Sequence, residues 1–412
     1  MFFKEYENKL KLVVSQMSSV MSVSVGIVVG AGSVLETEKN NGISHFIEHM
    51  TFKGTPSLTA FQVSEAFDEI GSQVNAFTSK EMTCYYAKST TQALERSFEI
   101  LSDMFLNSSY ESGEIEKEKG VVVEEINMYA DTPEEVCIDG LSSAFFGNEG
   151  LGRTVLGPAS NIKSFDKSYI KEYRKDFYNA DNIVVCFAGN VDGKTAEALV
   201  DKYFAPFVAS NKSKPYYLTK STNLGKFIKI NKDIEQNHLA IAFDGIKYNG
   251  EYFDEMSLLN TVIGSGMSSR LFQKVREEMG LCYTVYSYPS GYRDVGSLSV
   301  YAGLNPDQTK QAYEAIFEVL NDLKKGGITQ KEFEKGKAQV LSAFAFGQES
   351  TASQMMLCGK YLLFEGKNFD MEDKIKYIEN IEKSKVDELI DKLDFDKFSI
   401  SLVGKNVEKN EF

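Results

Sequence analysis

Histidine is scarce in this 412-residue chain, with three copies, and cysteine is little more common at five. Cys84, Cys137, Cys186, Cys282 and Cys358 form no Cys-x-x-Cys pair, and an odd number cannot close completely into disulfides. A reducing compartment is the simpler setting. A basic excess is also missing. The net charge of −14 and pI near 5.0 argue against a phosphate-binding surface, which needs clustered Lys and Arg, so no nucleic-acid partner is expected. Long apolar runs are absent too. The run over 23–31 is far too short to cross a bilayer and reads as a buried strand, so no membrane partner is expected. Residues 1–9 mix charges where a signal peptide needs an unbroken apolar core, which points to a cytoplasmic location. Gly30-Ala31-Gly32 and Gly264-Ser265-Gly266 complete no dinucleotide fingerprint and carry no P-loop lysine, so both read as turns.

Two of the three histidines stand together in His45-Phe46-Ile47-Glu48-His49. On a helix, positions i, i+3 and i+4 share one face, so both imidazoles and the Glu48 carboxylate project together. Asn41-Gly42-Ile43-Ser44 supplies a polar start with Ser44 as a candidate cap, Phe46, Ile47, Met50 and Phe52 supply apolar contacts, and Gly54 supplies a stop. Neutral histidines bind zinc, and a carboxylate next to them on that face can take a proton from an activated water. Glu48 is therefore the candidate general base. His238 stands outside every motif and reads as a structural histidine beginning a strand.

Two histidines leave zinc one protein ligand short of a usual catalytic site. The best source is the acidic stretch over 114–126, read as the interior of a helix. There Glu118 and Glu125 lie two turns apart and share a face, while Glu124 points elsewhere.

At this point the sequence resembles the pitrilysin-type zinc peptidases, whose inverted His-x-x-Glu-His motif is followed by a distal glutamate; 76 positions separate His49 from Glu125. The stretch Asn41-Gly42-Ile43-Ser44-His45-Phe46-Ile47-Glu48-His49-Met50-Thr51-Phe52-Lys53-Gly54-Thr55 is similar to the processing-peptidase branch. So are Asn75-Ala76-Phe77-Thr78 and Leu151-Gly152-Arg153-Thr154-Val155-Leu156-Gly157-Pro158, and Arg276 and Tyr283 match the family's substrate-gripping pair. The resemblance implies one zinc ion per chain on His45, His49 and Glu125, with Glu118 as the supporting glutamate. It also implies a substrate strand added along Asn75, Ala76, Phe77 and Thr78, and Arg276 and Tyr283 holding the peptide carbonyl or its oxyanion. The function implied is a zinc endopeptidase for peptides or unfolded segments, working as a homodimer. The alternatives are a non-catalytic peptide-binding or assembly subunit and a dedicated precursor-processing peptidase.

A chain this long exceeds what one core supports, and its 42% hydrophobic content can fill two. Strands are predicted over 22–29, 73–78, 83–88 and 182–188, and helices over 91–106, 113–129 and 133–146. The polar stretch near 206–225 reads as a linker. The order then repeats: a strand over 238–243, helices from 252 and 269, strands over 283–288 and 296–301, and long helices after 307 and 328. The reading is α+β, two homologous domains, each a mainly antiparallel sheet flanked by helices: 1–207 with the metal site, 208–225 as linker, and 226–412 without metal. At an offset of 218, Gly336 stands for Glu118 and Ala343 for Glu125, and a looser alignment sets Leu258 and Leu259 opposite Glu48 and His49.

Overall fold

The computed structural model describes residues 1–204, 207 and 223–409. Its strands are β1 Phe2–Glu5, β2 Lys11–Gln16, β3 Ser22–Val29, β4 Gln73–Thr78, β5 Thr83–Thr90, β6 Ile183–Gly189, β7 Phe227–Asn231, β8 Asn237–Gly245, β9 Cys282–Gly291, β10 Gly296–Leu304 and β11 Phe398–Gly404. They form a six-stranded sheet ordered β1-β2-β6-β3-β5-β4 and a five-stranded sheet ordered β7-β11-β8-β10-β9. Leaving out β1, each sheet runs first, fifth, second, fourth, third in its own chain order. In each, the first and last strands pair in parallel (β2 with β6, β7 with β11) and the other neighbours pair antiparallel. The α+β reading with a repeated, mainly antiparallel domain is borne out. No helix among the described residues is long and apolar enough to cross a membrane.

Alternation along the strands builds two layers in each unit. In β3, Val23, Val25, Ile27 and Val29 enter a large core with Phe98, Leu101 and Phe105 of the helix Leu94–Asn107. The intervening residues face the other way: Val28 joins Cys84, Val184, Cys186 and Ala188 under Met355, Cys358 and Leu362 of the helix Thr351–Glu365. Residues 23–29 of β3 are therefore all buried, Ser24 and Gly26 included, since both faces are covered. Each of Met355 and Leu362, fully buried, contributes about 1.5–3 kcal/mol. The second sheet repeats the scheme. Leu239, Ile241 and Phe243 of β8 enter one core, and Ala240 and Ala242 meet Cys137, Leu141 and Phe145 of the helix Pro133–Phe146.

The covering helices come from the opposite halves of the chain. Among the described residues, unit 1 comprises 1–126, 154–204, 207 and 346–370, and unit 2 comprises 127–153, 223–345 and 371–409. Domains cut as 1–207 and 226–412 would strand a helix on each side, because hydrophobic periodicity does not say which sheet a helix will cover. The linker read over 208–225 lies, for 208–222, outside the described residues. Each exchanged helix seats a glycine on the last strand of its sheet: a Cβ at Gly359 would stand 2.8 Å from Cys186 Sγ, and one at Gly140 would stand 2.5 Å from Ser401 Oγ.

Candidate metal centre

The helix Ile43–Thr51 carries the paired histidines and buries Ile43, Phe46, Ile47 and Met50 completely. Its start differs from the expected Ser44 cap. Gly42 is the N-cap residue, at φ +99°, and no side chain of its own caps the helix. The buried carboxylate of Glu36 does so from outside: Oε2 accepts from Gly42 N–H (2.7 Å) and Asn41 Nδ2 (2.8 Å), and Oε1 from Ser44 N–H (2.8 Å). Burial pushes the Glu36 carboxyl above its usual range, against those three bonds. Ser44 Oγ instead shares a hydrogen bond with Tyr173 OH, 2.8 Å. Gly42 is crowded as well as left-handed, for a Cβ there would stand 2.5 Å from the Leu156 carbonyl, and Asn41 Nδ2 also donates to Thr154 O. Two sequence segments that resemble the same family thus lock together. The helix ends at Thr51, with Gly54 at φ +102° turning the chain beyond it.

The helix Ser112–Ala130 brings Glu118 and Glu125 to the histidines. Glu125 Oε2 lies 3.3 Å from His49 Nε2 and 3.6 Å from His45 Nε2, and one ligand atom of each residue falls within 4.8 Å of the others. Glu118 Oε1 accepts from His49 Nδ1 at 2.8 Å, and its Oε2 takes Lys53 Nζ at 2.6 Å. With Nδ1–H committed to Glu118, His49 turns the lone pair of Nε2 toward Glu125. His45 is 7% exposed, and its Nδ1 is buried without a hydrogen-bond partner among the described residues. Burial, aided by the neighbouring His49 charge, pushes its pKa down to about 3, so it is neutral at pH 7. Burial also pushes His49 down, but the Glu118 hydrogen bond and the charges of Glu125, Glu118 and Glu48 outweigh it and raise the net value. Glu118 is lowered, burial being overcome by His49 and Lys53.

Two ring nitrogens and a carboxylate oxygen, all acceptors once His49 gives up its Nε2 proton, therefore converge on one small volume. Tetrahedral zinc with bonds near 2.0–2.1 Å separates its ligand atoms by about 3.3 Å. The residues fit such an ion. Glu48 stands beside the cluster, its Oε2 accepting from Thr78 Oγ1 at 2.5 Å. Burial raises its pKa and the Glu125 charge adds to this, while the Thr78 bond and the His49 charge oppose it.

Asn75, Ala76, Phe77 and Thr78 lie in β4, the end strand of its sheet, paired with β5 alone among the described residues. Asn75 Oδ1 accepts from Ala76 N–H at 2.8 Å. Arg276 sits on the π-helix Phe272–Glu278, its guanidinium 4.5 Å from the Phe272 ring centroid and 5.1 Å from that of Tyr283, which is 76% exposed. This pair belongs to unit 2, whereas the histidines, Glu48, Glu118, Glu125 and Thr78 belong to unit 1. His238 pairs through Nδ1 with Tyr301 OH at 2.6 Å, as a structural histidine would. Sequence reasoning missed Glu36, Lys53 and the bond of Thr78 to Glu48. Lys53 and Thr78 both stood inside motif segments, but nothing local marked Glu36.

Residues 12–159 match the family described as Insulinase (Peptidase family M16), and residues 164–340 match the Peptidase M16 inactive domain. The "Uncharacterized zinc protease YmxG" of Bacillus subtilis is 39% identical over 402 residues, 97% of each chain. The chain belongs to the pitrilysin-type M16 peptidase family. An uncharacterised zinc protease of Mycobacterium bovis is 32% identical over 97% of this chain and 92% of its own. Among solved structures, a protease from Helicobacter pylori superposes with a TM-score of 0.91 at 21% identity, covering 98% of this chain and 99% of its own. A peptidase M16 inactive domain from Pseudomonas fluorescens does so with a TM-score of 0.91 at 18% identity, over 98% of each. At those identities the two structures speak to the M16 fold alone. The stretch matching the M16 inactive domain includes Leu258, Leu259 and Gly336, which stand opposite Glu48, His49 and Glu118 in the alignments above.

Proposed function

We propose that the chain is a zinc-dependent endopeptidase for peptides and unfolded segments, with His45, His49 and Glu125 holding one zinc ion and Glu48 as general base. The observation that carries this is the convergence of three acceptor atoms beside a carboxylate that is itself hydrogen-bonded to the end of an edge strand. Bound there, zinc supplies a Lewis acid toward a water and the scissile carbonyl. Glu48 takes the proton of the attacking water and returns it to the amine as the C–N bond breaks. Thr78 holds Oε2, which leaves Oε1 for that proton. Burial suits the carboxylate to this task by bringing its pKa up toward the working pH.

The open edge of β4 offers backbone groups to a peptide, and strand addition reads backbone more than side chains, so broad sequence tolerance follows. A peptide there takes the Ala76 N–H from the Asn75 side chain. The family resemblance assigns the peptide carbonyl or the oxyanion to Arg276 and Tyr283, whose guanidinium and ring centroid lie 5.1 Å apart. A homodimer and a cytoplasmic location complete the proposal, the first by family resemblance and the second by the character of the sequence.

Metal analysis and a peptide-cleavage assay on wild type and Glu48→Gln test it. The variant is expected to keep its zinc and lose cleavage by about 10²–10⁴-fold. Unchanged cleavage sinks the assignment of Glu48, and a wild type that binds zinc without cleaving any peptide favours the non-catalytic subunit.

A further inference from the structure

Lys53 lies just past the end of the motif helix and, among the described residues, makes its ion pair with Glu118 and not with either histidine, yet it completes a chain that ends on one. Its ammonium stands 2.6 Å from Glu118 Oε2, and Glu118 Oε1 stands 2.8 Å from His49 Nδ1. The Glu118 side chain is 5% exposed, so each of its oxygens must find a partner inside the protein. Each has one, and both partners are nitrogen donors on or next to the motif helix. With Lys53 in place the carboxylate has a single orientation that satisfies both oxygens, and that orientation aims Oε1 at the imidazole. Without Lys53, Oε2 is left buried and unpaired, and the carboxylate gains by turning from His49 toward water.

The metal-free unit supplies an internal control. A Cβ at Gly336, the counterpart of Glu118, would stand 3.1 Å from Leu258 Cδ2 and 2.7 Å from Thr261 Oγ1, so the helix Gln330–Gln348 abuts the helix Phe253–Ile263 as the glutamate helix abuts the motif helix. In the alignment that sets Leu258 and Leu259 opposite Glu48 and His49, Ile263 stands at the place of Lys53. The two helices pack without the lysine, the glutamate or the histidine. The three polar residues are present together in one unit and replaced together in the other, which is what a single device requires and what a general packing role does not.

We infer that Lys53 is a positioning residue for the metal centre: it fixes Glu118, which fixes the His49 ring with Nε2 presented to the ion. This rests on the metal-site reading above. Zinc affinity, measured by competition with a chromophoric chelator on the full chain, tests it in wild type, Lys53→Met, Lys53→Arg, Glu118→Gln and the Lys53→Met/Glu118→Gln double variant. Lys53→Met is expected to bind zinc roughly tenfold more weakly, in line with losses on removing groups that orient metal ligands. Lys53→Arg is expected to restore affinity to within about threefold of wild type, because a guanidinium also donates to a carboxylate. The double variant is expected to bind no more weakly than Glu118→Gln alone, since Lys53 acts only through Glu118. Wild-type affinity in Lys53→Met, failure of Lys53→Arg to restore it, or losses that multiply in the double variant would overturn the inference. A wild type that binds no zinc overturns the metal-site reading instead. Circular dichroism melts of the zinc-free proteins establish folding, and a Lys53→Met chain that does not fold is replaced by Lys53→Gln under the same thresholds.

Discussion

Thr78, the last residue of the edge strand β4, donates its hydroxyl to the carboxylate of Glu48. The strand proposed to receive a peptide and the group proposed to take the proton are thus one hydrogen bond apart. Removing that bond takes away a force that favours the charged carboxylate, so the Glu48 pKa, already raised by burial, rises further. The base works only when ionised. Thr78→Val is therefore expected to shift the acidic limb of the kcat/KM profile to higher pH and to lower the rate on that limb by roughly tenfold. Thr78→Ser, which keeps the hydroxyl, should leave the limb in place. A pH–rate profile for peptide cleavage decides it, and an unmoved limb in Thr78→Val would count against the coupling.

Glu36 holds the start of the motif helix through two backbone amides and the Asn41 side chain. Glu36→Ala leaves the buried Gly42 and Ser44 N–H groups without acceptors, at a cost of about 1–3 kcal/mol for each. Denaturant unfolding of the zinc-free protein should show this loss, with a smaller one for Glu36→Gln, which keeps one accepting oxygen. A change below about 0.5 kcal/mol in Glu36→Ala would mean that water takes over the capping.

Glycine at 359 answers to a close approach, whereas glycine at 120 answers to none. Gly359→Ala drives a methyl group against Cys186 Sγ and Val28 Cγ2 and should destabilise by about 1–3 kcal/mol. Gly120 lies exposed inside the helix Ser112–Ala130 with nothing within 4 Å of a Cβ, so Gly120→Ala should stabilise by about 0.5–1 kcal/mol. Thermal melts of the two variants should move in opposite directions.

Residues 1–207 expressed alone lack the helix Thr351–Glu365, so Val28, Cys84, Val184 and Cys186 lose their apolar cover. Within the same fragment, the helix Pro133–Phe146 loses the sheet against which Cys137, Leu141 and Phe145 pack. The fragment should bind a hydrophobic dye and bind zinc far more weakly than the whole chain. A monomeric, dye-negative fragment with native zinc affinity would refute this.

Much of the fold was legible because its signals are local. The strands β3 and β4 and the helix Pro133–Phe146 fall where alternation and periodicity predict them. The short edge strand β1 and the strands β2, β7 and β11 went unread, as did the helix Thr351–Glu365. Four to seven residues carry little period, and a covering helix such as Thr351–Glu365 carries no mark of the sheet it will meet. The consecutive Ile27, Val28 and Val29 of β3 already pointed to a layer on each face, but not to which segment supplies it.

In the metal centre, the motif marked His45 and His49, the family resemblance added Glu125, and the structure brings the three into one cluster. Glu36 was invisible for the opposite reason. Its partners are backbone amides, which every sequence contains, and Glu36 itself lies in a loop whose acidic residues ordinarily face water. Ser44 was misread because Ser, two residues before Phe46 and Ile47, suits a cap in general, while here the helix starts earlier and its hydroxyl turns to Tyr173.

The helix exchange also sets an order of events during synthesis. The ribosome completes β6 and the helix Gly193–Phe204 long before it reaches Thr351. At about 5–20 residues per second the delay is on the order of ten seconds or more. Throughout it, the sheet that carries the edge strand has one bare apolar face. The nascent chain exposes that face until then, and the peptide cleavage proposed above becomes possible only when nearly all of the polypeptide has been made.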